Sequence, residues 1–153
     1  CKCRECSVRT LKGMKKIYLS FAGQDTVRAM KIIPLLASQE YELDFYSGAQ
    51  LEDCLDQPQA ADIKRLIGEK IVASNVTVCL ISEHSHSSPR VELELQKSLN
   101  KGNRIIAMAL KGTQEAVLPR IIREENLKFY PWDPQQLRRL LEDDRAKLFN
   151  NSR

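Results

Sequence analysis

Val76-Thr-Val-Cys-Leu-Ile-Ser82 is β-branched and apolar on both of its faces. A strand with one wet face alternates polar and apolar residues. A strand apolar on both sides belongs in the middle of a parallel sheet, with helices covering it front and back. Downstream, Ser88 and Pro89 make an N-cap and first-turn pair, and Gly102 ends the helix they open. Arg104 to Leu110 is then a second apolar strand. Strand, helix and strand in this order form a right-handed parallel crossover unit.

The same alternation extends outward on both sides. Upstream, Pro58 opens a helix to about Ala73 with Ile63, Leu66, Ile67 and Ile71 on one face. Before it, Glu42 to Tyr46 reads as a short strand and Ser47 to Asp56 as a loop holding Gly48. Lys16-Ile-Tyr-Leu-Ser-Phe21 is the first strand, broken by Ser-Phe-Ala-Gly, and Asp25 stands where it can cap the next helix. That helix runs to about Gln39 with Val27, Met30 and Ile33 at helical spacing, and Pro34 is expected to kink or divide it. Downstream of Leu110, residues 111–126 are less regular and are cut by Pro119. Leu127 to Tyr130 reads as a short edge strand, and Asp133-Pro134 starts a last helix carrying Leu137, Leu140, Leu141 and Leu148. The pattern predicts an α/β three-layer sandwich, flavodoxin-like, with a five-stranded parallel sheet in the order 2-1-3-4-5 and helices on both faces. Residues 14–153 form one domain in this reading, and residues 1–13 a cysteine-containing, disordered leader.

Bulk composition narrows the function. The chain has 153 residues, 42% hydrophobic and 29% charged, as expected for one globular domain with a core of its own. Its net charge of +4 is mild and its Lys and Arg are dispersed, which argues against a nucleic-acid partner but would not repel a small anionic ligand. Apolar runs such as Val78 to Ile81 are far too short to span a membrane. The five cysteines, Cys1, Cys3, Cys6, Cys54 and Cys79, are odd in number and irregular in spacing, which points to a reducing cytoplasm rather than a disulfide framework. Cys79 reads as a buried free thiol. The Cys-x-Cys-x-x-Cys cluster lacks a fourth ligand at suitable spacing, so no metal site is expected.

In a sheet of this order, ligands bind at the C-terminal strand ends where the order reverses. The loops there are Ser20 to Gln24 and Ser82 to Ser88, and the helix starting beside them carries Arg90, Glu92 and Glu94. A carboxylate in that cleft would be partly desolvated, its pKa raised, and able to stabilise a developing cation; either glutamate could equally be a surface charge near a helix N-terminus. At about 100° per residue, both lie at the borders of the inward face set by Val91, Leu95, Ser98 and Leu99. Spacing does not choose between them.

A resemblance does. Ser-Phe-Ala-Gly-Gln-Asp25, the strand ending in Ile81-Ser82, Arg90-Val-Glu-Leu-Glu-Leu95 and Lys101-Gly-Asn-Arg-Ile-Ile106 together resemble the Toll/interleukin-1 receptor (TIR)-like family that includes ThsB of the bacterial Thoeris anti-phage system. The likeness covers nearly everything from Lys15 to Leu110. It implies cleavage of the nicotinamide–ribose bond of NAD, by hydrolysis or by cyclisation to an ADP-ribose signal, with NAD as substrate and no cofactor or metal. Position by position, it makes Glu94 the catalytic carboxylate and lines the substrate with Ser20, Phe21, Ala22 and Gly23. Asp25, Ser82 and Arg90 border the same cleft, and Tyr46 opens a mobile loop to Asp53. Arg90 stands where the family usually has an aromatic residue. The implied partners are NAD or a related nucleotide, a second TIR-like domain through self-association, and an effector that responds to the product.

Two other functions compete. A nucleoside 2-deoxyribosyltransferase-like enzyme shares the opening Lys-Ile-Tyr-Leu and a glutamate at a related place. A non-catalytic TIR-like interaction scaffold is favoured by Arg90 and by Leu93, which points away from the core face on the phase count. His84 and His86 read as a solvated polar loop. Nucleophile-elbow, dinucleotide-fingerprint and Walker motifs are absent.

Overall fold

The structure, a computed structural model, describes residues 15–36, 41–46 and 60–151. In chain order the elements are β1 (Lys15–Ser20), α1 (Thr26–Leu36), β2 (Tyr41–Asp44), α2 (Ala61–Val72), β3 (Val76–Ile81), α3 (Pro89–Lys101), β4 (Arg104–Ala109), α4 (Arg120–Glu124), β5 (Phe129–Tyr130) and α5 (Pro134–Asn151). Short 3-10 turns at Gly23–Asp25 and Ser85–Ser87 precede α1 and α3. The leader 1–13, the loop 47–56 with Gly48, Pro58 as a helix opener and the Leu148 side chain lie outside the described residues.

Among the described residues the strands form one parallel sheet in the order β2-β1-β3-β4-β5, as the alternating pattern predicts. β3 lies at its centre with all of its residues buried. Period-two alternation sorts the strand side chains. Ile17, Leu19 and Phe21, with Val76, Val78, Leu80, Ile106 and Met108, face a core completed by Ala29 and Ile32 of α1 and Leu137, Leu140 and Leu141 of α5. On the opposite face, Cys79, Ile81, Ile105 and Ala107 meet Val91 and Leu95 of α3 and Ile121 and Ile122 of α4. Tyr18 meets Ile67 and Ile71 of α2 on that side as well. Each fully buried aliphatic side chain contributes about 1.5–3 kcal/mol, so the two faces together carry the fold.

Several local expectations change. α1 continues through Pro34 to Leu36, so the proline does not divide it; Pro34 forfeits one N–H bond to the Met30 carbonyl while Ala29, Ile32 and Ile33 hold the turn on the sheet. Val27 is 69% exposed and Leu66 43%, so neither lies on its helix's buried stripe. Asp25 is not a cap: it is buried within its own 3-10 turn and turned toward β3. Leu93 is not an exposed apolar residue; it packs against Tyr18, Ile67 and Ile71 where α3 meets α2. Among the described residues no helix is long and apolar enough to cross a membrane.

Candidate active site

α3 is fixed at both ends. Ser88 Oγ accepts from the Val91 N–H at 3.2 Å, Pro89 takes the first turn, and Gly102 closes the helix at φ 89°, a left-handed conformation that favours glycine. This anchoring sets the helical phase and aims Arg90 and Glu94, one turn apart, at the C-terminal end of β1.

Glu94 is wholly buried, 0% exposed. Its Oε1 accepts from Ser20 Oγ at 2.7 Å, and its Oε2 accepts from the Tyr18 hydroxyl. Arg90 is 1% exposed and brings its Nε to 3.9 Å from Oε2. The guanidinium lies over the Phe21 ring, 4.8 Å from its centroid, and its Nη2 donates to the Phe21 carbonyl at 2.7 Å. Arg90 Nε and Nη1 make no hydrogen bond among the described residues. A buried carboxylate is therefore held by two hydroxyl donors and one cation, in a medium where each interaction is stronger than in water.

The surroundings respond to that charge. Burial, and then the Glu94 carboxylate, push the Tyr18 hydroxyl far above its ordinary pKa, so it stays a donor at every physiological pH. The same two causes, in the same order, push the Cys79 thiol up, and Cys79 is the buried, inert thiol that the apolar strand implied.

The other site residues fall into three places. Asp25 and Ser82 bind each other, Ser82 Oγ donating to Asp25 Oδ2. Arg28 then ties Asp25 (3.2 Å), Glu83 (3.3 Å) and Thr113 (2.6 Å) together, joining the loops after β1, β3 and β4. Phe21 and Ala22 are core residues on opposite faces of the sheet, and Gly23 begins the 3-10 turn. Tyr46 is half-buried against the cluster of Tyr18, Ile67 and Ile71, and the rest of its loop lies outside the described residues. Glu92 points outward: it is about half exposed and pairs with Arg120, which also pairs with Glu124 at 2.8 Å. Among the described residues no group of His, Cys, Asp and Glu is arranged to hold a metal, and His84 pairs with Glu83 at 3.3 Å.

Residue-by-residue reading missed Tyr18, counting it only as part of an apolar run. The signal was in the alternation: Tyr18 and Ser20 are the two polar-tipped residues on one face of a strand whose other face is Ile17, Leu19 and Phe21.

A parallel sheet in the 2-1-3-4-5 order, with a buried glutamate on the helix after its central strand, is consistent with a TIR-like fold. The family model for the Thoeris protein ThsB, TIR-like domain, matches residues 18–115, and the chain belongs to that family. No curated protein matches the chain.

Proposed function

We propose that the chain cleaves the nicotinamide–ribose bond of NAD, with Glu94 as the catalytic carboxylate, and that its product signals to a partner effector in cytoplasmic anti-phage defence. The observation that carries this reading is Glu94 itself: a desolvated carboxylate with both oxygens oriented by hydroxyls, at the strand ends where such sheets bind ligands. When the C1′–N bond breaks, its electron pair leaves with nicotinamide and the ribose becomes oxocarbenium-like. A preorganised anion beside it lowers the barrier, and water or a nucleophile within the ADP-ribose moiety then bonds to C1′.

Arg90 sets a condition on this chemistry. A cation 3.9 Å from Oε2 competes with the developing oxocarbenium for the same negative charge. Glu94 also has no exposed surface, so Arg90 and Phe21 part from it when substrate enters. The diphosphate of the dinucleotide supplies acceptors for Arg90 Nε and Nη1, which make no hydrogen bond among the described residues. Ser20, Phe21, Ala22 and Gly23 then offer the C-terminal end of β1 and the turn after it to the nucleotide, Tyr46 borders it, and the Asp25–Ser82 pair holds the facing loops.

One contact favours a second reading. The tyrosine of Lys-Ile-Tyr-Leu bonds the glutamate, joining the two features shared with nucleoside 2-deoxyribosyltransferases. The scaffold reading loses one support, because Leu93 is packed rather than displayed.

Incubation of the purified chain with NAD, with products resolved by mass spectrometry, tests the proposal. Free nicotinamide and an ADP-ribose product are expected, and Glu94→Gln should slow their release about a hundred- to a thousandfold, the effect of one preorganised electrostatic group of ~3–4 kcal/mol. Base exchange between 2′-deoxynucleosides with NAD left intact would establish the second reading. A Glu94→Gln variant as active as the wild type would remove Glu94 from the mechanism.

A further inference from the structure

We infer that Tyr18 is a positioning residue, one that holds the Glu94 carboxylate in place while Arg90 moves away from it. The inference rests on the NAD-cleaving reading above and assigns a role to a residue on which that reading does not depend.

Tyr18, Ser20 and Arg90 approach the Glu94 carboxylate, and they differ in what anchors them. Ser20 reaches Oε1 and Tyr18 reaches Oε2, both from one face of β1, which is paired in parallel to β2 and β3. Strand side chains with buried backbones move little. Arg90 shares Oε2 with Tyr18 but comes from the first turn of α3, and it is retained by one carbonyl bond and the Phe21 ring. When Arg90 leaves for a diphosphate, Oε2 loses a cation; without Tyr18 it would also lose the hydroxyl that orients it. The carboxylate would then be held less firmly and could turn after Arg90.

The Tyr18 ring suits this role. It is 0% exposed and wedged against Ile67 and Ile71 of α2, so its hydroxyl is aimed by packing rather than by a flexible stem. A tyrosine also loses little side-chain freedom for the hydrogen bond it makes. Burial and the neighbouring carboxylate keep the phenol protonated, so it always donates and does not become a second anion beside Glu94.

The test is Tyr18→Phe, which keeps the ring and deletes the hydroxyl, assayed by nicotinamide release across a range of NAD concentrations. A charge-assisted hydrogen bond that orients the reacting carboxylate is worth about ten- to a hundredfold in rate. We expect kcat to fall by that factor with KM changed less than about threefold. Added to Glu94→Gln, Tyr18→Phe should leave the residual rate unchanged, because the hydroxyl acts through the carboxylate. Ser20→Ala should reproduce the kcat loss and Ser20→Thr should rescue it, which keeps the test informative should Tyr18→Phe fold poorly. An active wild type whose Tyr18→Phe variant retains kcat overturns the inference alone, whatever Ser20→Ala does. A wild type inert toward NAD overturns the proposed reaction and this role with it.

Discussion

Arg90 and Glu94 are one helical turn apart and both are removed from water, so neither charge is dispensable without the other. The planar guanidinium lies over the Phe21 ring, at the position where the family resemblance places an aromatic residue. Replacing Arg90 by Met keeps the stem and removes the charge, which leaves the carboxylate buried without its neighbouring cation. Urea unfolding of Arg90→Met should show a loss of about 3–5 kcal/mol, the usual penalty for breaking a buried pair. The double variant Arg90→Met/Glu94→Gln should be less destabilised than Arg90→Met alone, because no charge remains to be desolvated. Additive losses would mean the two side chains are not coupled. Which of Glu92 and Glu94 turns inward was not legible from helical phase, since both lie at the border of the buried stripe. Residues distant in sequence set it: Arg120 of α4 draws Glu92 outward, while Tyr18 and Ser20 of β1 receive Glu94. Leu93 misled for the same reason, because α2 covers the flank on which it lies.

Elements were legible where local chemistry alone specifies them. β3 could be read because two-sided apolarity leaves a central strand as the remaining choice, and α3 because Ser88, Pro89 and Gly102 mark its ends. Asp133 likewise caps α5, accepting from the Gln135 and Gln136 N–H groups at 3.0 and 3.1 Å. The start of α1 was misread because Asp25 looks like a cap in sequence, whereas a buried partner, Ser82, competes for its carboxylate. The caps of α3 provide a prediction at this scale. Ser88→Ala should cost about 1 kcal/mol through the orphaned Val91 N–H, and Gly102→Ala about 1 kcal/mol through a left-handed backbone that a Cβ disfavours. The two should differ in function, since Ser88 sits two residues from Arg90 and Gly102 lies at the far end of the helix. Equal stability losses in urea, with NAD turnover reduced in Ser88→Ala alone, are the expected outcome. Turnover reduced equally in both would show that helix stability in general, not the aim of the first turn, governs the site.

Across the whole molecule, the apolar residues fill both faces of the sheet, while the buried polar groups cluster at one rim and along one seam. Glu94, Tyr18 and Ser20 form one end of that seam, and Thr77 continues it by bonding Ser98 at 2.7 Å beneath α3. Asp25 and Ser82 sit across the rim, tied by Arg28 to three loops. The described core begins at Ile17 and ends at Leu141, and the first residue of β1 is already paired, Lys15 with Tyr41. This framework starts at β1, after the cysteine-rich segment. Deleting residues 1–13, so that the chain begins at Met14, should therefore leave the melting temperature within about 2 °C, given that ~1 kcal/mol corresponds to roughly 2–4 °C in a domain of this size. A metal chelator should not shift the melt of the full chain. A fall of more than about 4 °C in the shortened chain would instead make the segment structural, and a fall in the full chain on chelation would make its cysteines ligands of a structural metal, because such a site contributes its binding energy directly to folding.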